Sequence, residues 1–198
     1  MRRTAQLLAG VALLAGCGGE RIPTETAARA QPQVVANRES GEGDHDDRGS
    51  IRRDLATLRR VTAPFQQFSK AKAAGWSAQI TPCMVDPGGA GGMGFHYGNT
   101  ALINGSVSVD KPELLLYEPE RKGKLELVAV EYIIPYTFHA RSAAPPELFD
   151  QKFTRNDTFQ LWGLHVWLWE ENPSGLFASW NPRVNCDHTT AVSVMSHM

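Results

Sequence analysis

The stretch KLELVAVEYIIP, residues 124–135, is rich in β-branched and aliphatic residues and predicts a β-strand. A second strand pattern, ELLLYE (113–118), comes before it, and the intervening PERKG is typical of a hairpin connection. Successive side chains of a strand point to opposite faces, so Glu131 shares its face with Ala129 and Ile133. A carboxylate in such surroundings is costly to bury unless it is paired or coordinated. The hairpin therefore predicts a sheet with one carboxyl group in its interior.

Two further strands are predicted around this hairpin. GFHYGN (94–99) follows a glycine-dense loop, and LWGLHVWLW (161–169) ends at the turn ENPSG. On the second of these strands, alternation places His165 on one face together with Trp167 and Trp169. The sequence thus predicts several strands that each carry one or two polar residues among apolar ones.

The segment before the strands predicts a helix. Ser50 is a suitable N-cap, and Pro64 interrupts the pattern, so a kink or a pair of short helices is expected. Apolar residues recur at steps of three and four along one helical face. They are Ile51, Leu55, Leu58, Val61, Phe65 and Phe68. The expected fold is α+β, with this N-terminal helix packed on an antiparallel sheet or a partly closed barrel.

The first residues, MRRTAQLLAGVALLAGC, have the form of a bacterial lipoprotein signal. Arg2 and Arg3 precede an apolar run that is too short to span a bilayer, which needs roughly 20 residues. The sequence LAGC resembles a lipobox and predicts a signal peptide over 1–16 with lipidation at Cys17; an ordinary secretory signal is the alternative. Acyl chains on Cys17 would make the membrane a partner of the protein. The expected location is the bacterial cell envelope, lipid-anchored and extracytoplasmic, in the periplasm or at the cell surface.

The rest of the chain divides by composition. Residues 17–49 are rich in glycine, proline and charge and predict a flexible tether, residues 50–190 a single α+β domain, and residues 191–198 a loose tail. The formal net charge is only −1 and no basic stripe is present, so nucleic acid is not expected as a partner. The sequence indicates no particular protein partner.

Apart from Cys17, the chain contains two cysteines, Cys83 and Cys186. Outside the cytoplasm, such a pair is expected to form a disulfide. Zinc binding by the two thiolates is the alternative, which the absence of CxxC or CxxH spacing disfavours.

Polar residues on the predicted strands indicate the chemistry. No GxSxG elbow, Walker loop or haem-attachment motif is present, and no residue is assigned a catalytic role. His96, Glu131 and His165 lie on three strands, and two imidazoles with one carboxylate can bind a divalent metal while leaving coordination positions open. Tyr97 and Trp167 flank them as further candidate ligand-binding residues. The alternative is a buried His–Glu hydrogen-bond network that holds no ligand.

Several longer motifs resemble a family of uncharacterised exported and lipid-anchored bacterial proteins. The motifs are KAKAAGW, GGMGFHYGN, LLLYEP, LVAVEYIIP and LHVWLWEENPSGLFASWNPRVNC. The resemblance spans about residues 55–186. It implies an exported, lipid-anchored domain and implies no particular reaction.

These observations predict a lipid-anchored extracytoplasmic binding module whose pocket contains His96, Glu131 and His165. A divalent metal is the most concrete occupant of that pocket. Two alternatives remain open: a metal-dependent enzyme that uses the same three residues, and a structural or interaction lipoprotein in which they form a core network. Between these classes, the sequence favours a binding module without catalytic activity over an enzyme.

Overall fold

The structure, a computed structural model, describes residues 42–189. The predicted signal peptide (1–16), the lipidation site Cys17, most of the predicted tether and the predicted tail (191–198) lie outside these residues. Within the described part of the chain, none of the helices has the length and apolar composition that crossing a bilayer requires.

Two α-helices precede the strands: α1, Glu42–Thr62, and α2, Phe68–Ala73. Between them, Ala63–Gln66 form a 3₁₀ turn that has Pro64 near its start. Proline lacks an N–H group and its ring clashes with the preceding turn, so a continuous helix cannot pass through this position. The prediction of a kinked or paired helix is confirmed, and the predicted apolar stripe is the face that packs on the sheet.

Helix α1 begins at Glu42, upstream of the predicted N-cap Ser50. Residues 42–49, which their composition assigned to the tether, are therefore helical. Once a helix has nucleated, each further residue adds one backbone hydrogen bond, so a helix held by packed residues can extend into a polar sequence. Polar composition shows that a segment contributes little to the core, and it does not exclude helical structure.

Strands in antiparallel pairs make up the rest of the described fold. Their bounds are β1 Ala78–Gln79, β2 Met84–Val85, β3 Gly92–Gly98, β4 Leu114–Pro119, β5 Leu125–Pro135, β6 Glu147–Leu148, β7 Gln151–Lys152, β8 Thr154–Asn156 and β9 Leu161–Val166. One sheet has the order β1–β3–β4–β5–β9–β8, with β2 also paired to β3, whereas β6 and β7 pair only with each other. Over residues 42–189 the outer strands β1 and β8 do not pair, so the sheet is open and the partly closed barrel is not formed.

Strand β5 lies at the centre of the sheet. It pairs with β4 through the predicted hairpin, where Arg121–Gly123 turn the chain and Lys122 adopts a φ of 62°. On its other side it pairs with β9. Residues 127–134 are all buried, because the sheet is covered on both faces at this point. Burial on both faces explains why the sequence of this strand is almost continuously apolar.

The sheet has one apolar layer on each face. The face that packs on the helices, called the helix face here, joins α1 and α2 to inward side chains of the central strands. These side chains include Phe95, Tyr97, Leu115, Tyr117, Val130, Tyr132, Leu164 and Val166. The opposite face, called the far face, has a second cluster of buried apolar side chains. Its members are Met93, Leu114, Leu116, Val128, Ala129, Ile133, Trp167 and Val184.

Strand β9 ends at Val166, so the predicted position of Trp169 on the histidine face is wrong. The register between β4 and β5 shifts at Val128, and the carbonyl of this residue accepts hydrogen bonds from the N–H groups of Trp169 and Glu170, each at 3.1 Å. Such a bulge interrupts the regular ladder and ends the alternation of side chains. Trp169 turns to the helix face instead, where its Nε1 donates a hydrogen bond to Thr62 Oγ1 at 3.3 Å.

Cys83 and Cys186 form the predicted disulfide, with their Cα atoms 5.9 Å apart. The bridge joins the connection between β1 and β2 to the C-terminal segment, which contributes Val184 to the far face. Because 103 residues separate the two cysteines, the bridge removes much conformational freedom from the unfolded chain.

Replacing both cysteines, in the variant Cys83→Ser/Cys186→Ser, is expected to lower the free energy of unfolding by as much as about 4 kcal/mol. Urea denaturation measures this change. Adding a reductant should lower the stability of the native protein and leave the double variant unchanged. Equal unfolding free energies for the native protein and the double variant would contradict a stabilising role for the bridge.

Candidate metal centre

The three candidate residues His96, Glu131 and His165 lie on strands β3, β5 and β9. His165 is directly opposite Glu131 in the register of β5 and β9. His96 reaches from β3 across β4, where its register partner Leu116 is in turn opposite Ala129 of β5. The neighbours of all three residues along each strand pack on the helix face, so strand alternation directs the three polar side chains to the far face.

The three side chains form one compact group. Nε2 of His96 lies 3.5 Å from Oε2 of Glu131, and Nε2 of His165 lies 3.7 Å from Oε1 of the same carboxyl group. One nitrogen or oxygen atom from each residue lies within 4.8 Å of the other two, and all three residues are buried. The group, called the His–Glu–His cluster here, could hold a metal ion.

His96 is oriented by a hydrogen bond on the other side of its ring. Its Nδ1 lies 2.8 Å from Oγ1 of Thr81, a buried residue in the connection between β1 and β2. When the proton is on Nδ1, this nitrogen donates to the threonine oxygen, and Nε2 keeps a lone pair directed towards Glu131. Histidines that bind metals are commonly oriented by such a partner on their second nitrogen.

His165 differs from His96 because its Nε2 has no hydrogen-bond partner among the described residues. The distance of 3.7 Å to Glu131 is longer than a hydrogen bond. The ring itself is held by stacking on Trp167, whose ring plane is inclined by 12° at a centroid distance of 6.4 Å. A buried nitrogen without a partner costs free energy, so an atom of this kind needs an explanation.

Gly163 makes room for the carboxyl group of Glu131. It precedes His165 by two residues on β9 and therefore lies on the same face of the sheet. A Cβ atom at position 163 would lie 2.8 Å from Oε1 of Glu131, which is closer than van der Waals contact allows. A side chain at this position would displace the carboxyl group from its place between the two imidazoles.

The surroundings of the cluster favour the uncharged form of each group. Desolvation by burial lowers the pKa of His96 to about 4. Desolvation, together with the nearby His96, lowers the pKa of His165 to about 3. Desolvation and the nearby Glu113 raise the pKa of Glu131 to about 8. At neutral pH both imidazoles are therefore uncharged, which is the form in which histidine binds a metal.

A cavity of about 270 Å³ lies over the cluster. Its floor contains His96, Glu131 and His165, and most of its wall is apolar. The remaining lining residues are Ile80, Thr81, Met84, Met93, Leu114, Asn156, Thr158, Phe159, Leu161 and Trp180. A largely apolar cavity with a few convergent polar groups is the usual form of a small-molecule site.

The structure does not bring both flanking aromatic residues to this site. Tyr97 packs on the helix face, with its ring 4.4 Å from that of Phe68, and it does not line the cavity over the cluster. The reason is strand alternation, because Tyr97 directly follows His96. Trp167 does contact the cluster through the ring of His165, and its Nε1 donates to the carbonyl of Ala178 at 2.6 Å.

Two residues of the site were missed from the sequence. Thr81 follows a short strand pattern, and a lone threonine there gives no sign that it meets a histidine 15 residues later. Glu113 begins the stretch ELLLYE and is fully buried, with its Oε2 accepting a hydrogen bond from the N–H of Ile133 at 3.1 Å. Its position before an apolar run was the available signal. Desolvation raises the pKa of Glu113 to about 7.

Comparisons with protein-family models, with curated proteins and with solved structures gave no match for this chain.

The buried carboxyl of Glu113 predicts a pH dependence of stability in metal-free protein. Its pKa is raised on folding, so its contribution is present below about pH 4.5 and is lost as the pH rises to about 7. Glu113→Gln keeps the acceptor oxygen and removes the ionisation. Relative to the native protein, this variant should gain as much as about 3 kcal/mol of stability between pH 4 and pH 8.

Urea denaturation at the two pH values, in the presence of a chelator, measures this difference. Glu147→Gln is the matched control, because Glu147 is exposed in the folded protein. If Glu113→Gln and Glu147→Gln change stability equally at both pH values, the burial of an uncharged Glu113 carboxyl is not supported.

Proposed function

We propose that the His–Glu–His cluster binds one divalent metal ion through Nε2 of His96, Nε2 of His165 and the carboxylate of Glu131. The observation that carries this proposal is the buried Nε2 of His165, which has no hydrogen-bond partner in the described residues although it faces a carboxyl group. A metal ion would supply the missing interaction. A hydrogen-bond network without metal would be expected to close the 3.7 Å gap instead.

The distances within the cluster support this assignment. Two atoms that bind the same tetrahedral ion at about 2.0–2.1 Å lie about 3.3 Å apart. The distances from Glu131 to the two histidines, 3.5 and 3.7 Å, are close to this value. The two distances involve different oxygens of Glu131, and one ligand atom from each residue lies within 4.8 Å of the other two, so side-chain rotations would bring the three atoms closer around one ion.

The donor set supports a transition metal or zinc. Two imidazole nitrogens with one carboxylate are typical ligands of Zn²⁺ and Fe²⁺, whereas Ca²⁺ and Mg²⁺ prefer oxygen ligands alone. Three protein ligands leave at least one coordination position for another molecule. The cavity of about 270 Å³ gives that position access to a ligand.

We place this metal-binding domain in the bacterial cell envelope, anchored by lipid at Cys17 of the exported chain. The lipobox-like sequence LAGC and the resemblance to exported, lipid-anchored proteins support this location. The disulfide between Cys83 and Cys186 is consistent with an extracytoplasmic compartment, where such bonds persist.

A metal-dependent enzyme is the second candidate function. The cavity above the cluster favours it, because a substrate bound there would reach the open coordination positions of the ion. Such an ion would act as a Lewis acid and would polarise an oxygen atom of the bound substrate.

When metal-free protein is titrated with Zn²⁺, each protein molecule is expected to bind one ion at the His–Glu–His cluster. Glu131→Gln preserves the shape of the side chain and removes the anionic ligand, so it should lower the affinity for Zn²⁺ at least about tenfold. Isothermal titration calorimetry measures the affinity, and urea denaturation in chelator reports stability.

His188→Ala is the control for this titration, because His188 lies outside the cluster. A network role for Glu131 predicts a large loss of stability in chelator and no change in metal affinity. Unchanged Zn²⁺ affinity in Glu131→Gln would therefore refute the proposed metal site.

The variant Gly163→Ala tests whether the carboxyl group of Glu131 needs the space beside position 163 in order to bind the metal. The added methyl group would displace the flexible end of Glu131 and should lower Zn²⁺ affinity at least about tenfold, with a smaller effect on unfolding. Gly88→Ala is a suitable control, because a Cβ there would meet only the side chain of Asp86, away from the cavity lining. If Gly163→Ala binds Zn²⁺ as tightly as Gly88→Ala, Glu131 does not act as a ligand from its present position.

A further inference from the structure

The wall of the cavity above the cluster contains little that could bind a polar molecule. The described residues that line it include neither lysine nor arginine. Two of its polar groups already have partners: Oγ1 of Thr81 bonds to His96, and Oδ1 of Asn156 accepts the N–H of Phe159 at 3.1 Å. Most of the remaining wall consists of aliphatic, methionine and aromatic side chains. A ligand that fills this space must therefore be mainly apolar.

A bound metal ion would make the floor of the cavity positively charged, in contrast to the uncharged wall. A divalent ion with two neutral imidazoles and the carboxylate of Glu131 carries one net positive charge. Glu113 is also buried, but it accepts a hydrogen bond from the N–H of Ile133 and does not line the cavity. A single anionic oxygen donor on the open position of the ion would balance the remaining charge. A dianion, by contrast, would find no second cation in the lining.

The size of the cavity limits the ligand further. A volume of about 270 Å³ lies near the lower end of the range of small-molecule sites, about 300–1,000 Å³. This volume suits a head group of a few atoms and a short hydrocarbon chain or ring. Two lining side chains, Ile80 and Phe159, are 42% and 46% exposed, which gives the cavity an apolar rim.

We infer that the site, if it holds the metal proposed above, binds a small apolar monocarboxylate. The carboxylate oxygen takes the open position on the ion, and the hydrocarbon part lies against the wall formed by side chains such as Met84, Leu161 and Trp180. The inference depends on the proposed metal site and adds the class of molecule that the site accepts.

Titration of Zn²⁺-loaded protein with hexanoate tests this inference by isothermal titration calorimetry. Hexanoate should bind at least about tenfold more tightly than acetate, because its extra methylene groups leave water for the apolar wall. Hexylammonium, which has the same chain and the opposite charge, and inorganic phosphate should both bind at least about tenfold more weakly than hexanoate. Metal-free protein should also bind hexanoate at least about tenfold more weakly than the Zn²⁺-loaded form.

The results separate the two proposals. If Zn²⁺ does not bind, the metal site and the ligand class both fail. If Zn²⁺ binds and hexanoate shows no advantage over acetate, phosphate or hexylammonium, only the ligand class is overturned. Hexanoate binding that is equal with and without Zn²⁺ also overturns it, since the carboxylate would then not lie on the ion.

A variant at the rim provides a second test. Phe159→Ser should lower the affinity for hexanoate at least about threefold, because Phe159 lines the cavity. The affinity for Zn²⁺ should stay unchanged, because Phe159 is not one of the three residues proposed to bind the metal. Phe138→Ser is the matched control, since Phe138 is 57% exposed and does not line the cavity. Equal hexanoate affinities in these two variants would show that the ligand does not lie in this cavity.

Discussion

The burial of one carboxyl group in the middle of the central strand is the constraint on which the structure depends. Glu131 could reach the helix face only if β5 shifted by one residue, and that shift would turn Val130 and Tyr132 out of the helix-side core. The register of β5 is therefore fixed, and the carboxyl group stays on the far face. Imidazoles on β3 and β9, with a glycine on β9 that leaves space, form the environment that this constraint requires.

Much of the fold could be predicted because its strongest signals are local. The apolar stripe from Ile51 to Phe68 has a helical period, Pro64 breaks it, and the stretch around PERKG has the pattern of a hairpin. The pairing of Cys83 with Cys186 followed from counting cysteines. His96, Glu131 and His165 are candidates because charge-bearing groups are costly to place in apolar strands. The sequence does not show that the three meet in space, and the structure brings them together.

Other features depend on contacts between distant parts of the chain. The register of β4 and β5 shifts at Val128, and Trp169, beyond the end of β9, contacts Thr62 on the helix side; no local pattern marks a register shift of this kind. The contact of Thr81 with His96 accompanies the pairing of β1 with β3, which no local pattern specifies. The early start of α1 at Glu42 reflects the extension of a helix whose packed part lies further along the chain.

The disulfide lies close in sequence to residues around the His–Glu–His cluster. Cys83 lies two residues after Thr81, the partner of His96, and Cys186 closes the segment that contains the cavity residue Trp180. Before oxidation, these two segments are held only by weaker contacts, and the imidazole of His96 has a less restrained partner. The covalent link therefore keeps these two segments together when other contacts loosen, and so helps to preserve the surroundings of the His–Glu–His cluster.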